Sequence, residues 1–129
     1  MNVLEIRDEL MGYWRDNFKM LPTEYPNTPF PDHLREKPYV SFDINFVNGQ
    51  TVLNGDGSST RHWGNIFVFI RTPVSSGSRT AYDAAREVLD KMERKRIGSI
   101  VTRAGTIDDL SRPREQFGML VSIPFHTTC

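Results

Sequence analysis

The stretch Ile66-Phe67-Val68-Phe69-Ile70 is the longest apolar run in this chain. It lies within a segment from Arg61 to Thr72, and Pro73 follows it. A short, continuous apolar run of this kind predicts a central strand that is buried on both faces. We therefore expect the fold to be organised around a sheet with this strand at its centre.

A second strand is predicted before this run, where the hydrophobic period becomes two. From Tyr39 to Phe46, apolar residues alternate with Ser41, Asp43 and Asn45, which is typical of a strand with one buried face. Asn48-Gly49 is a strong signal for a β-hairpin turn. The returning strand is then predicted at Gln50 to Leu53.

The C-terminal third of the chain predicts two more strands. The first is expected at Ile97 to Thr106, followed by a polar turn at Asp108 to Arg114. The last is expected at Phe117 to Phe125, where large apolar residues occupy every second position. Pro124 predicts that this last strand ends at a sheet edge, because proline has no N–H to donate to a neighbouring strand.

Two amphipathic helices are predicted to cover the sheet. The first extends from about Val3 to Phe18, with Asn2 as its N-cap. The second begins near Thr80 and ends near Arg96, and Gly98 is its stop signal. The predicted fold class is α+β: a two-layer sandwich in which both helices pack on a mostly antiparallel sheet of about four to five strands.

The length of 129 residues favours a single domain. We expect the N-terminal helix in residues 1–20, a proline-rich connector in residues 21–38 and an α+β core in residues 39–129. The prolines of the connector exclude a regular helix there, and its aromatic residues Tyr25 and Phe30 indicate that it lies on the surface of the same domain.

The overall composition excludes several classes of protein. There are 16 basic and 16 acidic side chains, so no whole-molecule field attracts nucleic acid. Cys129 is the one cysteine, and it cannot form an internal disulfide. No apolar run approaches the roughly 20 residues of a membrane helix, and the N-terminus lacks the pattern of a signal peptide. We expect a protein that is neither secreted nor bound to a membrane.

Charge is distributed unevenly along the chain. Residues 1–60 have a net charge of −4 and residues 71–103 a net charge of +4. Opposite charges at two places on one subunit suit head-to-tail self-assembly. The sequence alone favours a simpler interpretation, in which a basic helix face and an acidic N-terminal helix are each solvated.

No pattern in the sequence predicts a catalytic, metal or cofactor site. His33, His62 and His126 are far apart, and none has a metal-ligand spacing to another histidine or to Cys129. The spacing of Asn54, Asp56 and Ser58 resembles the start of a calcium loop, but the glutamate at the twelfth position is missing. We expect no catalytic residues, no metal and no cofactor.

Two groups of residues are candidates for an interface instead. The first is a polar, glycine-rich segment that we expect to form an exposed, mobile loop, followed by an arginine. It comprises Asn54, Gly55, Asp56, Gly57, Ser58, Ser59, Thr60 and Arg61. The second group is basic and suits contact with a polyanion; it comprises Arg79, Arg94, Lys95, Arg96 and Arg103. No aromatic residue lies between Arg94 and Arg103 in the sequence, so base stacking is not predicted there.

Three stretches together resemble a known family. They are Gly64 to Pro73 with Gly77 after it, the alanine-rich segment Ala81 to Leu89, and the closing stretch Phe117 to Phe125, which ends Val-Ser-Ile-Pro-Phe. A sequence with these features resembles the tail terminator-like proteins of long-tailed bacteriophages. The resemblance implies helices packed on a sheet, a structural role in the virion and no catalysis.

The resemblance also implies partners and a location. A terminator forms a ring of identical subunits, expected to be a hexamer, which caps the tail tube and stops its polymerisation. Its partners are the tail tube protein and a neck or connector protein, and genomic DNA passes through the ring without sequence-specific binding. The expected location is the tail–neck junction of the virion, after assembly in the cytoplasm of the host bacterium.

Three other functions remain open at this point. The first is that of a neighbouring neck or tail-completion protein of the same virion. A small nucleic-acid-binding module would use the basic residues from Arg94 to Arg96. A small enzyme would combine His33, His62 or His126 with a carboxylate.

Overall fold

Two helices and one seven-stranded sheet make up the described part of the chain. The structure is a computed structural model, and it describes residues 2–51, 60–73, 79–109 and 116–127. The helices are α1 (Val3–Asn17) and α2 (Arg79–Met92), and a short 3-10 helix covers Asp32–Glu36. The strands are β1 (Thr23–Glu24), β2 (Tyr39–Thr51), β3 (Thr60–Pro73), β4 (Arg96–Ile97), β5 (Ile100–Thr102), β6 (Thr106–Asp109) and β7 (Gln116–Thr127).

The strands lie in the order β1-β2-β3-β7-β5-β4, and β6 also pairs with β7. The β1–β2 pair is parallel, and the other pairs are antiparallel. The predicted α+β class is confirmed. The number of strands exceeds the prediction, because the connector contributes β1 and the segment after α2 is divided into three short strands.

The core lies between the two helices and one face of the sheet, which we call the inner face. Ile66, Val68 and Ile70 of β3 are fully buried on this face. From α1, Trp14 stacks on Phe18 with a centroid distance of 4.3 Å. The remaining fully buried helix residues in this core are Ile6, Leu10, Ala81, Ala84, Ala85, Val88 and Met92.

The opposite face of the sheet, the outer face, is only partly covered. Phe67 and Phe69 of β3 point to this face and are half-buried. At one corner of this face, Phe30 of the connector packs on Tyr39, with a distance of 5.2 Å between the ring centroids. The prediction that the central strand is buried on both faces is therefore wrong, because both helices pack on the inner face.

The predicted hairpin turn at Asn48-Gly49 is also wrong. These two residues lie within β2, which pairs with β3 from Tyr39 opposite Arg71 to Thr51 opposite Thr60. The pairing register shifts between Val47 and Gln50. Long-range pairing with β3 overrides the local turn signal, and β2 and β3 are connected through residues 52–59, which lie outside the described residues.

Helix α2 starts at Arg79, one residue before the predicted start, and ends at Met92 rather than near Arg96. The chain reverses at Arg94, which has a φ of +55°. Gly98 does not stop the helix. It occupies the turn between β4 and β5 with a φ of +60°, a conformation that glycine adopts without steric cost.

The segment predicted as one strand from Ile97 to Thr106 is consequently divided among β4, β5 and β6. Asp108 and Asp109, predicted in a polar turn, pair with β7 as part of β6. The remaining residues of that predicted turn, 110–114, lie outside the described residues.

Pro124 lies in an interior strand, so its predicted position at a sheet edge is wrong. Strand β7 runs between β3 on one side and β5 and β6 on the other. The carbonyl of Pro124 accepts a hydrogen bond from the N–H of Arg103 at 2.8 Å. Because Pro124 faces the break between β5 and β6, its missing N–H removes no ladder hydrogen bond.

The N-terminal helix and the connector agree with their predictions. Asn2 caps α1 by accepting a hydrogen bond from the N–H of Glu5 at 2.8 Å. The connector contains β1 and the 3-10 helix, and it lies against the sheet through contacts such as Tyr25 on Phe42. Neither described helix is long and apolar enough to cross a membrane.

Candidate functional site

The structure describes the backbone of only the last two residues of the first predicted interface group. Asn54, Gly55, Asp56, Gly57, Ser58 and Ser59 lie outside the described residues. The backbone of Thr60 and Arg61 forms the start of β3. The assignment of this loop to an interface stays a prediction.

Four of the five predicted basic residues come together in the structure. Arg94, Lys95, Arg96 and Arg103 line a depression of about 570 Å³, which we call the basic groove. Its other lining residues are Val101, Thr102, Ala104 and His126. Arg79 is not part of it: it lies at the opposite end of α2, and its Nε atom is 3.8 Å from Oδ2 of Asp83.

A hydrogen-bonded frame holds the two sides of the groove together. The N–H of Thr102 donates to the carbonyl of Lys95 at 2.8 Å, and that of Arg94 donates to the carbonyl of Arg103 at 3.4 Å. Thr102 is 2% exposed. Its hydroxyl donates to the carbonyl of Met92 at 2.5 Å and accepts from the N–H of Lys95 at 2.8 Å. The end of α2 is thereby tied to β5, and the backbone that carries the cations is fixed.

The groove has an excess of positive charge. Within the described residues, none of its four cationic side chains has a carboxylate within 4.0 Å. The nearby carboxylate of Glu93 accepts a hydrogen bond from the N–H of Gly105 at 2.8 Å. The Nε–H of Arg103 donates to Nδ1 of His126 at 3.3 Å, which orients the guanidinium beside the groove.

The sheet register connects this groove to an aromatic residue. Val47, Trp63, His126, Val101 and Arg96 are successive partners across β2, β3, β7, β5 and β4. Residues paired in this way point to the same face, so these five side chains form one row on the outer face. Trp63 is half-buried in this row, and Val47 is 52% exposed.

Sequence reasoning missed Trp63 and His126 as parts of this surface. The cations are close together in the sequence, whereas Trp63 is about thirty residues away from the first of them. Only the pairing of β3 with β7, and of β7 with β5, brings them together. The alternation within β7 correctly predicts the face of each residue, but it contains no information about the neighbouring strand.

A second depression, of about 510 Å³, lies between the connector and the sheet. Glu24, Asp43 and Arg71 are among its lining residues, so its charge is mixed. The Ser41 hydroxyl donates to Oε1 of Glu24 at 3.0 Å. Burial raises the pKa of the Tyr25 phenol on its rim, and the positive charge of Arg15 partly opposes this shift.

The histidines do not assemble into a site in the described part of the chain. There, no group of three or more His, Cys, Asp or Glu side chains is placed to hold a metal ion. His33 is exposed on the 3-10 helix. The backbone N–H of His62 donates to the Thr127 hydroxyl at 3.0 Å, and His126 contacts Arg103.

One edge of the sheet is long and open. Strand β1 pairs only with Val40 and Ser41, and no other strand in the described residues pairs with this side of β2. The N–H of Val40 faces β1, since it donates to Pro22 at 3.0 Å. By the two-residue period, the N–H groups of Ile44 and Phe46 face the open edge.

This open edge is protected at one position. The N–H of Ile44 donates to Oδ1 of Asp43 at 2.8 Å, so a side chain satisfies the first open donor. The N–H of Phe46 has no partner in the described residues. A second open edge exists on the opposite half of the sheet, where β6 pairs with β7 alone and its four residues are exposed.

The acidic N-terminal helix and the basic segment after α2 are neighbours in the structure. Helix α1 contacts β4, and the Glu9 carboxylate lies so close to Gly98 that a Cβ there would be 3.4 Å from Oε2. The acidic helix therefore lies beside the basic segment. The open strand edges at β2 and at β6, rather than the charges, distinguish the two halves of the sheet.

Comparison with known proteins yields the fold alone. No family model matches the sequence, and no curated protein matches it. A solved structure of a protein without a functional name is similar to this chain with a TM-score of 0.71. The similarity covers 95% of this chain and 96% of the other, at 14% sequence identity.

Proposed function

We propose that this chain is a structural protein of a phage virion, similar to a tail terminator, and that it acts as one subunit of a ring that caps the tail tube. Its partners are further copies of itself, the tail tube protein and a neck protein, and genomic DNA passes through the ring. The site of action is the tail–neck junction. The proposal combines the family resemblance of the sequence with the open edges of the sheet.

The open edge of β2 is the observation that supports self-assembly most directly. An unpaired edge is a template for another strand. From Phe42 to Thr51, Asp43 is the one charged residue, so few charges oppose such pairing. The second open edge, at β6, lies on the other half of the sheet. Two different edges on one subunit give a head-to-tail contact, and repetition of that contact closes a ring when the rotation from one subunit to the next divides a full turn evenly.

The native mass tests the ring. A hexamer of the 14.8 kDa chain has a mass of about 89 kDa, which light scattering distinguishes from a monomer, and negative-stain images should show a central hole.

Asn45→Lys places an ammonium at the open edge without removing a hydrogen bond to β3. We expect this variant to have the monomer mass and an unchanged circular dichroism spectrum.

Met20→Lys is the matched control for Asn45→Lys. Met20 is exposed outside the sheet, and the substitution adds the same charge. It should leave the ring mass unchanged. A wild-type protein that stays monomeric at all concentrations and does not assemble on tail tubes would contradict the proposal, as would an Asn45→Lys variant that forms normal rings.

Particles assembled without this chain distinguish a terminator from a neighbouring neck protein. Loss of a terminator should give tail tubes of uncontrolled length. Loss of a neck or tail-completion protein should give tubes of normal length that are not joined to heads. Electron microscopy of the two products separates these outcomes.

A further inference from the structure

We infer that the basic groove and Trp63 together form a binding site for single-stranded nucleic acid. The cations of the groove would contact phosphates, and the indole of Trp63 would stack on a base. This function goes beyond the proposed ring, because every residue of the site belongs to one subunit.

The charges of the groove favour a phosphate ligand. Arg94, Lys95, Arg96 and Arg103 have no carboxylate partner in the described residues, so their charge is available to an incoming anion. Phosphate contacts by arginine and lysine provide most of the affinity in sequence-independent binding. The frame around Thr102 fixes the backbone on both sides of the groove before a ligand arrives.

The outer face favours a single strand over a duplex. Trp63 and Arg96 lie three strand positions apart in one row, a distance of about 14 Å. Unpaired bases stack on exposed aromatic side chains of a sheet, whereas paired bases are stacked inside their own helix. The surface is a sheet without a protruding helix in the described residues, so it offers no element that enters a major groove.

Tryptophan fluorescence reports this contact directly. The chain has two tryptophans; Trp14 is fully buried, and its indole N–H donates to the Thr23 hydroxyl at 3.0 Å. Trp63 is the half-buried one, on the outer face. Titration of the full-length protein with an oligothymidine of about 12 nucleotides should therefore quench Trp63 and leave the Trp14 emission in place.

Two sets of variants separate the phosphate contact from net charge. The groove variant carries Arg94→Gln, Lys95→Gln and Arg96→Gln, and it should bind a labelled oligothymidine at least about tenfold more weakly in fluorescence anisotropy. The control variant carries Arg7→Gln, Arg15→Gln and Arg86→Gln, which remove the same charge from the surfaces of the two helices. It should bind within about twofold of wild type. For three or four phosphates, the slope of log affinity against log salt should be about −2 to −3.

Trp63 is tested by a pair of substitutions. Trp63→Ala should weaken binding about tenfold, because stacking is lost, and Trp63→Phe should retain most of the affinity. If Trp63→Ala does not fold, the phenylalanine variant and the quenching of wild type still decide the outcome. A duplex of the same length should bind more weakly and without quenching.

Four results would overturn the inference. The first is no binding of oligothymidine at low salt, and the second is binding without quenching of Trp63. The third is an equal loss of affinity in the groove variant and its charge-matched control. The fourth is equal affinity for duplex and single strand, which would reduce the site to a general attraction for phosphates. None of these results depends on ring formation, so this test is independent of the proposed function.

Discussion

The two faces of β3 are built from one continuous apolar run, yet they have different surroundings. Ile66, Val68 and Ile70 are fully buried on the inner face, where both helices pack. Phe67 and Phe69 alternate with them and stay half-buried on the outer face. The same composition therefore gives a core on one side and an accessible apolar surface on the other. The difference lies in what covers each face.

The largest expected effect comes from truncating one phenylalanine on each face. Phe42 is buried on the inner face, 5.0 Å from the ring of Trp14, so Phe42→Ala should lower the free energy of unfolding by about 3–5 kcal/mol. Phe67→Ala on the outer face should lower it by about 1–2 kcal/mol, because folding of the protein buries less of the Phe67 side chain than of the Phe42 side chain. Denaturant unfolding measures both values.

Equal losses for Phe42→Ala and Phe67→Ala would contradict the difference in burial between the two faces. An equal loss would mean that Phe67 is fully covered in solution, either by the ring contacts or by residues outside the described ranges. Both substitutions can be repeated in the Asn45→Lys background, where subunit contacts no longer contribute to the free energy of unfolding. The remaining difference between the two losses then comes from the fold of one subunit.

Two glycines contrast the packed inner face of the sheet with the surface of helix α1. A Cβ at Gly64 would clash with the Asn45 carbonyl and would lie 2.7 Å from the ring of Phe125, so Gly64→Ala should destabilise the protein by about 1–3 kcal/mol. At Gly12 of α1, the nearest atom is on Arg15, 4.0 Å away. Gly12→Ala should stabilise the helix by about 0.5–1 kcal/mol.

Thermal unfolding of the two glycine variants gives the sign of each effect. A neutral Gly64→Ala variant would show that Phe125 moves away at little cost, and that the inner face is less tightly packed than its burial indicates. The packing contrast between the two faces would then have to be revised.

The smallest expected effect is a pH dependence at the rim of the core. Tyr25 contacts the edge of the Phe42 ring at 6.3 Å, and burial raises the pKa of its phenol above the usual 10.0. The neutral phenol is therefore favoured in the folded state. Its contribution to stability is complete below about pH 10 and is lost as the pH rises through the folded-state pKa.

Unfolding between pH 9 and 11 measures this contribution. Tyr25→Phe should flatten the alkaline decline in stability by a small amount, and Tyr82→Phe, at an exposed position on α2, serves as the control. An unchanged slope in the Tyr25 variant would show that folding does not raise the pKa of this phenol.

Most of the fold could be predicted from local patterns in the sequence. The cap at Asn2, the period of α1 and the alternation in β2 and β7 each follow from nearby residues, and each is present in the structure. The failures occur where distant residues decide. Pairing with β3 extends β2 through the turn signal at Asn48-Gly49, and the hydrogen bonds of Thr102 end α2 early.

The candidate site was predictable only in part. The cations from Arg94 to Arg96 form a visible cluster in the sequence, and Arg103 was correctly grouped with them. Arg79 has the same charge, but the length of α2 separates it from the groove. Trp63 joins the groove through strand register, which is a property of the whole sheet and leaves no local signal.

Hydrogen exchange at two adjacent backbone amides in β2 shows whether the open edge of this strand joins one subunit to the next. The N–H of Asn45 faces β3, and that of Phe46 faces the open edge. In the assembled wild-type protein, we predict slow hydrogen exchange at both amides; in Asn45→Lys, residue 45 should stay slow and Phe46 should become fast. Fast exchange at Phe46 in both proteins would contradict the claim that this edge joins one subunit to the next.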